Sequence, residues 1–219
     1  RALLNPLRSE VIEAARDYRY LLNRGFPQKA SLDFISANYN LTAVERNLLF
    51  RCVHRATDSE VVKRKIVHSV RDLELVIDGY NVILTITSAI EGLPLFLCDD
   101  GFLRDLRSSY AKNFEAPTVK EAIHYVARAI SVLETKSSLI VLDKNVSWSA
   151  KHAELIRETY GINVTMAPKA DIAVIGSGKV VSSSDFVILL RSGRVYDLAQ
   201  FVVRNFLPKT EVIELHHLL

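Results

Sequence analysis

From Leu73 onward, short apolar runs alternate with stretches of helical period, and this alternation restricts the fold more than any other property of the chain. Residues 73–77, 138–142, 162–166 and 179–182 read as strands, with a fifth at 186–190 and a last at 211–215. Helices are expected at 102–111, at 118–133 behind a Thr118–Glu121 capping box, from Ser147 or Ser149 to the stop at Gly161, and at 197–206. Residues 92–100 read as a loop or hairpin. Strands separated by helices demand crossover connections, so the expectation is α/β: an open, mostly parallel sheet with flanking helices.

Residues 1–70 have a different period and read as a small all-α module preceding an α/β domain at 71–219. Leu7, Val11, Ala14, Ala15, Tyr18, Leu21 and Leu22 form one helical stripe, ended by Gly25 and Pro27. A second helix is expected at 31–39 and a third behind the Thr42–Glu45 capping box. A fourth is capped by Asp58 or Ser59 and ends near Ser69. The turn at 38–41 suits either a helix-turn-helix or a plain bundle. The net charge of +3 conceals an asymmetry: residues 1–72 carry 13 Lys/Arg against 8 Asp/Glu, and residues 73–219 carry 15 against 17. That contrast suits a phosphate-binding arm beside a cation site, or simply a solvated helical surface.

Cys52 and Cys98 are isolated, which argues against a disulfide framework and a structural zinc site. No apolar run is long enough for a membrane helix, the start lacks a signal-peptide core, and a cytoplasmic, soluble protein is expected. The histidines lack ligand or triad spacing; His54, His68, His124 and His152 fall on helical patterns, with surface positions as the default. Gly176-Ser-Gly178-Lys179 lacks the spacing of a phosphate-binding loop and reads as a turn.

Asp78, Asp143, Asp171 and Asp185 each sit at or near the end of an apolar segment. Several carboxylates delivered to one sheet edge repel one another, and such clusters hold a cation or do chemistry. Mg²⁺ or Mn²⁺ takes oxygen ligands and neutralises charge in phosphodiester hydrolysis, so four Asp suit a two-metal site. Asn81 and Ser183 would orient the central Asp78 or its bound water. Lys179 and the Lys63-Arg64-Lys65 run are candidate contacts to RNA phosphates. For Asp78 the competing role is an Asx-turn or helix cap, and for Asp171 a helix cap. Asp99 and Asp100, beside Gly101, read as turn residues. Tyr18, Tyr20, Phe26, Phe34 and Tyr39 alternate with Arg16, Arg19, Arg24 and Lys29, a pattern suited to stacking on a nucleic-acid strand. About half of these aromatics are expected to be core instead.

The motifs Leu75-Val-Ile-Asp78-Gly-Tyr-Asn81, Leu139-Ile-Val-Leu-Asp143, Ala170-Asp171-Ile172 and Val180-Val-Ser-Ser-Ser-Asp185 occur in an order that resembles the PIN-like nucleases, above all their NYN subgroup. The resemblance covers roughly residues 73–190 and implies a PIN-like sheet, Mg²⁺ or Mn²⁺ held by Asp78, Asp143, Asp171 and Asp185, and cleavage of RNA. The whole chain is also similar to an uncharacterised archaeal two-domain family. Three functions compete: a metal-dependent ribonuclease, a non-catalytic RNA-binding or ribonucleoprotein-associated factor on the same fold, and a phosphatase or nucleotide-binding enzyme on a similar sheet. The last is disfavoured by the absence of an Asp-x-Asp pair after the first strand. RNA is the expected partner, with room for a protein partner or a homo-oligomer and none for a membrane.

Overall fold

The computed structural model describes residues 7–107, 113–215 and 217–219. In chain order its elements begin with α1 (Ser9–Asn23), α2 (Gln28–Asn38), α3 (Ala43–Cys52), α4 (Ala56–Lys65), β1 (Glu74–Asp78), α5 (Gly79–Ile90), β2 (Leu95–Leu97) and β3 (Leu103–Arg104). There follow α6 (Pro117–Leu133), β4 (Ser137–Asp143), α7 (Ser149–Tyr160), β5 (Asn163–Ala167) and α8 (Ala170–Ile175). The last are β6 (Val180–Ser182), α9 (Phe186–Arg191), β7 (Arg194–Val195), α10 (Leu198–Phe206) and β8 (Val212–Glu214). Among the described residues no helix is long and apolar enough to cross a membrane.

The N-terminal region is helical, as expected, and the described residues of 1–64 form one compact unit together with those of 94–112 and 211–219. α1 buries Val11, Ala14, Tyr18 and Leu22 against Leu32 and Ile35 of α2 and Leu48, Leu49 and Cys52 of α3. The capping box forms: Thr42 Oγ1 accepts from Glu45 N at 3.2 Å, and Glu45 Oε1 accepts from Thr42 N at 2.9 Å. α4 starts earlier than expected because its cap comes from another helix, Asn23 Oδ1 accepting from Ala56 N at 2.8 Å. It ends at Lys65 rather than near Ser69. A three-stranded sheet in the order β3-β2-β8 completes the unit. The described part of the expected 102–111 helix contains strand β3; residues 108–111 lie outside the described residues. The expected last strand is present as β8, but it pairs in parallel with β2 in this small sheet.

The second unit comprises residues 65–93 and 113–210. Its five strands run in parallel in the order β5-β4-β1-β6-β7. β1 is central and buried on both faces, so its side chains alternate between two cores. Leu75 and Ile77 pack with residues of α5, α6, α7 and α10, while Val76 packs with Val141, Val181, Val174 and Ile188 on the side of α8 and α9. The 186–190 run is helix α9 and not a strand: Asp185 Oδ1 caps it by accepting from Ile188 N at 3.0 Å, and Val187 is left exposed. The Thr118–Glu121 box does not form, because Pro117 occupies the first turn of α6 and Ala116 is the N-cap. The Thr118 hydroxyl donates to Glu91 instead.

Gly79, at the start of α5, is packed too closely at the sheet edge to admit a side chain. A Cβ there would meet Leu142 Cδ2 at 2.5 Å, the Val141 carbonyl oxygen at 2.9 Å and Ile140 Cγ2 at 3.1 Å. Two of these contacts are flexible side-chain atoms, but the carbonyl belongs to a ladder strand that cannot retreat. Gly79→Ala is therefore expected to destabilise this unit by about 2–3 kcal/mol, as in other overpacked sites. A urea midpoint within error of the wild type would refute that close approach.

Candidate functional site

The strand order reverses at β1. The chain leaves β1 for β4 and β5 on one side and returns to β6 and β7 on the other. In open parallel sheets the crevice for ligands lies outside the strand carboxyl ends at such a reversal, because the connecting loops diverge there. Asp78 is the last residue of β1. In register, Asp78 faces Val141 and Ile77 faces Ser182, so Asp143 projects two residues beyond Asp78 on one side, and Ser183 follows Ser182 on the other.

Asp78 is 5% exposed, and although it occupies the N-cap position of α5, its carboxylate caps nothing. Oδ2 accepts from Ser183 Oγ at 2.7 Å and from Asn81 Nδ2 at 2.5 Å. Ser183 Oγ in turn accepts from Asp185 N at 3.0 Å, and Ser184 Oγ donates to Asn81 Oδ1 at 3.4 Å. Both donors to Asp78 fall on one oxygen, and Oδ1 has no hydrogen-bond donor among the described residues. Burial pushes the Asp78 carboxyl up to about 6; the Ser183 and Asn81 hydrogen bonds pull it down, and the charges of Asp185 and Asp171 raise it further. Asp78, Asp171 and Asp185 thus share one electrostatic neighbourhood.

The other acids carry local duties. Asp185 spends Oδ1 on the α9 cap, and Asp143 Oδ1 accepts from Asn145 N at 2.8 Å. Asp171 is exposed in the first turn of α8. Asp143 acts on a different neighbour: burial first, and then its charge, raise the Tyr80 phenol. Tyr80 OH lies 2.9 Å from His152 Nδ1, and Phe114 packs edge-on to the Tyr80 ring at 5.1 Å. Burial lowers the His152 pKa and favours the neutral imidazole. His152 is thus not a surface histidine. Its spacing with the buried Ser149, Ala153 and Ile156 was the signal that places it on the inner face of α7.

Two of the basic candidates are engaged elsewhere in the same unit. Lys179 pairs with Glu74, the first residue of β1, and so lies at the opposite edge of the sheet from Asp78. Lys65 turns inward to donate to the Leu189 and Leu190 carbonyls, and burial lowers its pKa. Lys63 and Arg64 are exposed on α4, with Arg64 3.9 Å from Glu60.

Asp99 and Asp100 lie in the turn between β2 and β3, as expected, with Gly101 N donating to Cys98 O at 3.0 Å, but both carboxylates are buried and engaged. Asp99 accepts from His54 N at 2.6 Å, with its other oxygen 2.7 Å from His54 Nδ1, both residues being buried. Asp100 forks with Arg104 at 2.7 and 2.6 Å. No local pattern places His54 against Asp99, 45 residues away; the four-residue spacing of Asp100 and Arg104 was the only readable hint.

Oxygen-only donors suit Mg²⁺ or Mn²⁺, which keep much of their water shell and need only one or two carboxylates. Among the described residues no three of His, Cys, Asp and Glu stand close enough together to hold a metal ion, so the four Asp are not assembled into a two-metal cluster. A cation at this edge would have Asp78 Oδ1 as its protein ligand.

Fold and site define a two-domain protein, a helical region followed by a parallel α/β domain with acids at its carboxyl edge. The chain belongs to the DUF5616 family, a domain of unknown function whose model matches residues 67–201. Residues 10–65 match the model of a protein of unknown function, DUF434. The chain is similar to an uncharacterised protein of Methanocaldococcus jannaschii, at 30% identity over 151 residues, 68% of this chain and 72% of the relative. No solved structure matches it.

Proposed function

We propose that this chain is a metal-dependent ribonuclease of PIN-like type, hydrolysing RNA phosphodiester bonds at the sheet edge around Asp78. The observation that carries the reading is the state of that carboxylate: buried at the strand reversal, fixed through Oδ2, unbonded at Oδ1, and raised to about 6 beside two further acids. A carboxylate held at such a cost without a structural duty is the mark of a working group. Asn81 and Ser183 orient Asp78, and the Asp185 backbone N–H fixes the Ser183 hydroxyl that does so. Asp185, through the oxygen not used in its cap, and Asp171 add negative charge that draws a cation to the same place. Mg²⁺ or Mn²⁺ would supply charge neutralisation and an acidified water.

The test is cleavage of end-labelled single-stranded and structured RNA with Mn²⁺ or Mg²⁺, beside EDTA and Asp78→Asn. Metal-dependent cutting that falls by at least about 100-fold in the variant is expected, the order of effect for loss of a key electrostatic group. Mn²⁺ should also raise the melting temperature of the wild type and leave that of the variant unmoved. RNA bound equally by both proteins, with no cutting by either, would replace this reading with the non-catalytic binding factor.

A further inference from the structure

The helical unit carries a surface that the proposed site does not use. Of the aromatics interleaved with basic residues in the sequence, Tyr18 is core, whereas Tyr20 and Phe26 are 62% and 55% exposed. Tyr20 lies between Arg16 and Arg24 at four-residue spacing on α1, opposite the buried stripe of Val11, Ala14, Tyr18 and Leu22. Phe26 stands on a fixed backbone, because the helix ends in a Schellman turn: Phe26 N donates to Leu21 O at 3.1 Å and Gly25 N to Leu22 O at 3.0 Å, with Gly25 at φ +88°. The Asn23 side chain, between these rings in sequence, caps α4 at Ala56 and so brings Arg55 alongside.

Cations outnumber acids around the rings, although the exposed Glu13 and Asp17 share α1 with Tyr20, Asp17 accepting from the Tyr39 hydroxyl. Residues 23–30 are all exposed and include Arg24 and Lys29 and no acid, Lys29 pairing with Asp33 at 2.9 Å. Among the described residues Arg24 and Arg55 form no ion pair, and Arg16 donates only to the Leu218 carbonyl, at 2.9 Å. Exposed rings beside guanidinium groups that form no ion pair do not make the centre of a protein-docking patch, which is depleted in charge. They match a flexible polyanion with flat faces.

We infer that this end of the helical unit binds single-stranded nucleic acid, with Tyr20 and Phe26 stacking on bases and Arg24 and Arg55 contacting phosphates. The inference names the strand form of the substrate class proposed above and adds a second place of contact; it does not depend on cleavage. The test is fluorescence anisotropy of the full chain in EDTA, where no cutting takes place, against a labelled 20-mer of single-stranded RNA, its DNA equivalent and an RNA duplex. Tyr20→Ala with Phe26→Ala is expected to weaken single-strand binding by about tenfold or more. Duplex binding should be little changed, and Tyr20→Trp with Phe26→Trp should keep the single-strand affinity. Arg24→Gln with Arg55→Gln is expected to flatten the salt dependence by about 0.7 for each phosphate no longer neutralised. Both positions are on the surface, so thermal melts should be unaltered. No binding by the wild type, or equal binding by the ring variant, would overturn the inference, as would a change in sedimentation showing that the rings join two copies of the chain. Loss of cleavage with binding intact bears only on the Asp78 site.

Discussion

Asp78→Asn should make the metal-free protein more stable while removing its activity. The folded carboxyl titrates near 6 against about 3.8 for an ordinary Asp, so the folded chain binds this proton more tightly than the unfolded chain does. Stability is then fullest below about pH 4, falls as pH rises from about 4 to about 6, and is flat above, a loss on the order of 3 kcal/mol from two pKa units. Asn removes the charge but keeps an oxygen for Ser183 and Asn81, with its amide in the place of the unbonded Oδ1. In EDTA at pH 7 the variant should melt about 5–10 °C above the wild type, and the difference should vanish towards pH 4. A variant no more stable than the wild type at pH 7 would mean that the Asp78 charge is already compensated in the folded chain. Such a trade of stability for chemistry is characteristic of working sites and not of helix caps, whose loss destabilises.

The opposite result is expected in the helical unit, where Asp100→Ala should be severely destabilising. Asp100 and Arg104 are 0% and 1% exposed and form a two-bond fork, and Asp100 Oδ1 also accepts from Phe102 N at 3.1 Å. Burial pushes the Asp100 carboxyl up, yet the Arg104 charge and hydrogen bonds more than offset this and hold it below the usual range. Removing the acid strands a guanidinium in the interior, which costs about 3–5 kcal/mol, a large fraction of a domain's stability. Asp100→Leu with Arg104→Met should recover most of that loss, because it removes both charges and fills the space. Hydrogen exchange resolved by segment would locate the loss in residues 7–64 and 94–107 and spare residues 113–210. A single variant as stable as the wild type would show the pair to be solvated. Since the folded Asp100 pKa lies below its unfolded value, the pair's contribution persists at any pH above about 4 and disappears only as pH falls through the folded value.

How much could be read from residues alone followed the range of the forces involved. β1, β4 and β6 were legible because a strand buried in the sheet interior is a continuous apolar run, and Asp78 stood out as the charge that ends one; β5, a largely exposed edge strand, was marked instead by the Gly161 stop before it. The run at 186–190 was ambiguous, since five apolar residues suit a buried strand or a short helix equally, and only the Asp185 cap decides it. The Asp78, Asn81 and Ser183 arrangement was legible as a motif. That Asp143 lies nearer Tyr80, and that Lys65 and Lys179 are engaged elsewhere, depended on strand register and on partners over 100 residues away. Of the small sheet, the hairpin at 92–100 and the last strand were readable, but β3 and the β2–β8 pairing were not, because a two-residue strand leaves no period and the partners are distant in sequence; the burial of Arg104 was hidden because its spacing to Asp100 resembles a helix-surface pair.

The parallel pairing of β2 with β8 also orders events in time. Residues 95–97 pair locally with β3 but acquire their parallel partner only when residues 212–214 have been made, so the small sheet is completed last. The α/β unit is in effect spliced between the two halves of that small sheet, and its folding brings together strands that would otherwise be separated by a long flexible loop. Loss of order in the parallel sheet would therefore loosen the helical unit by restoring chain entropy to the connection between its own two strands.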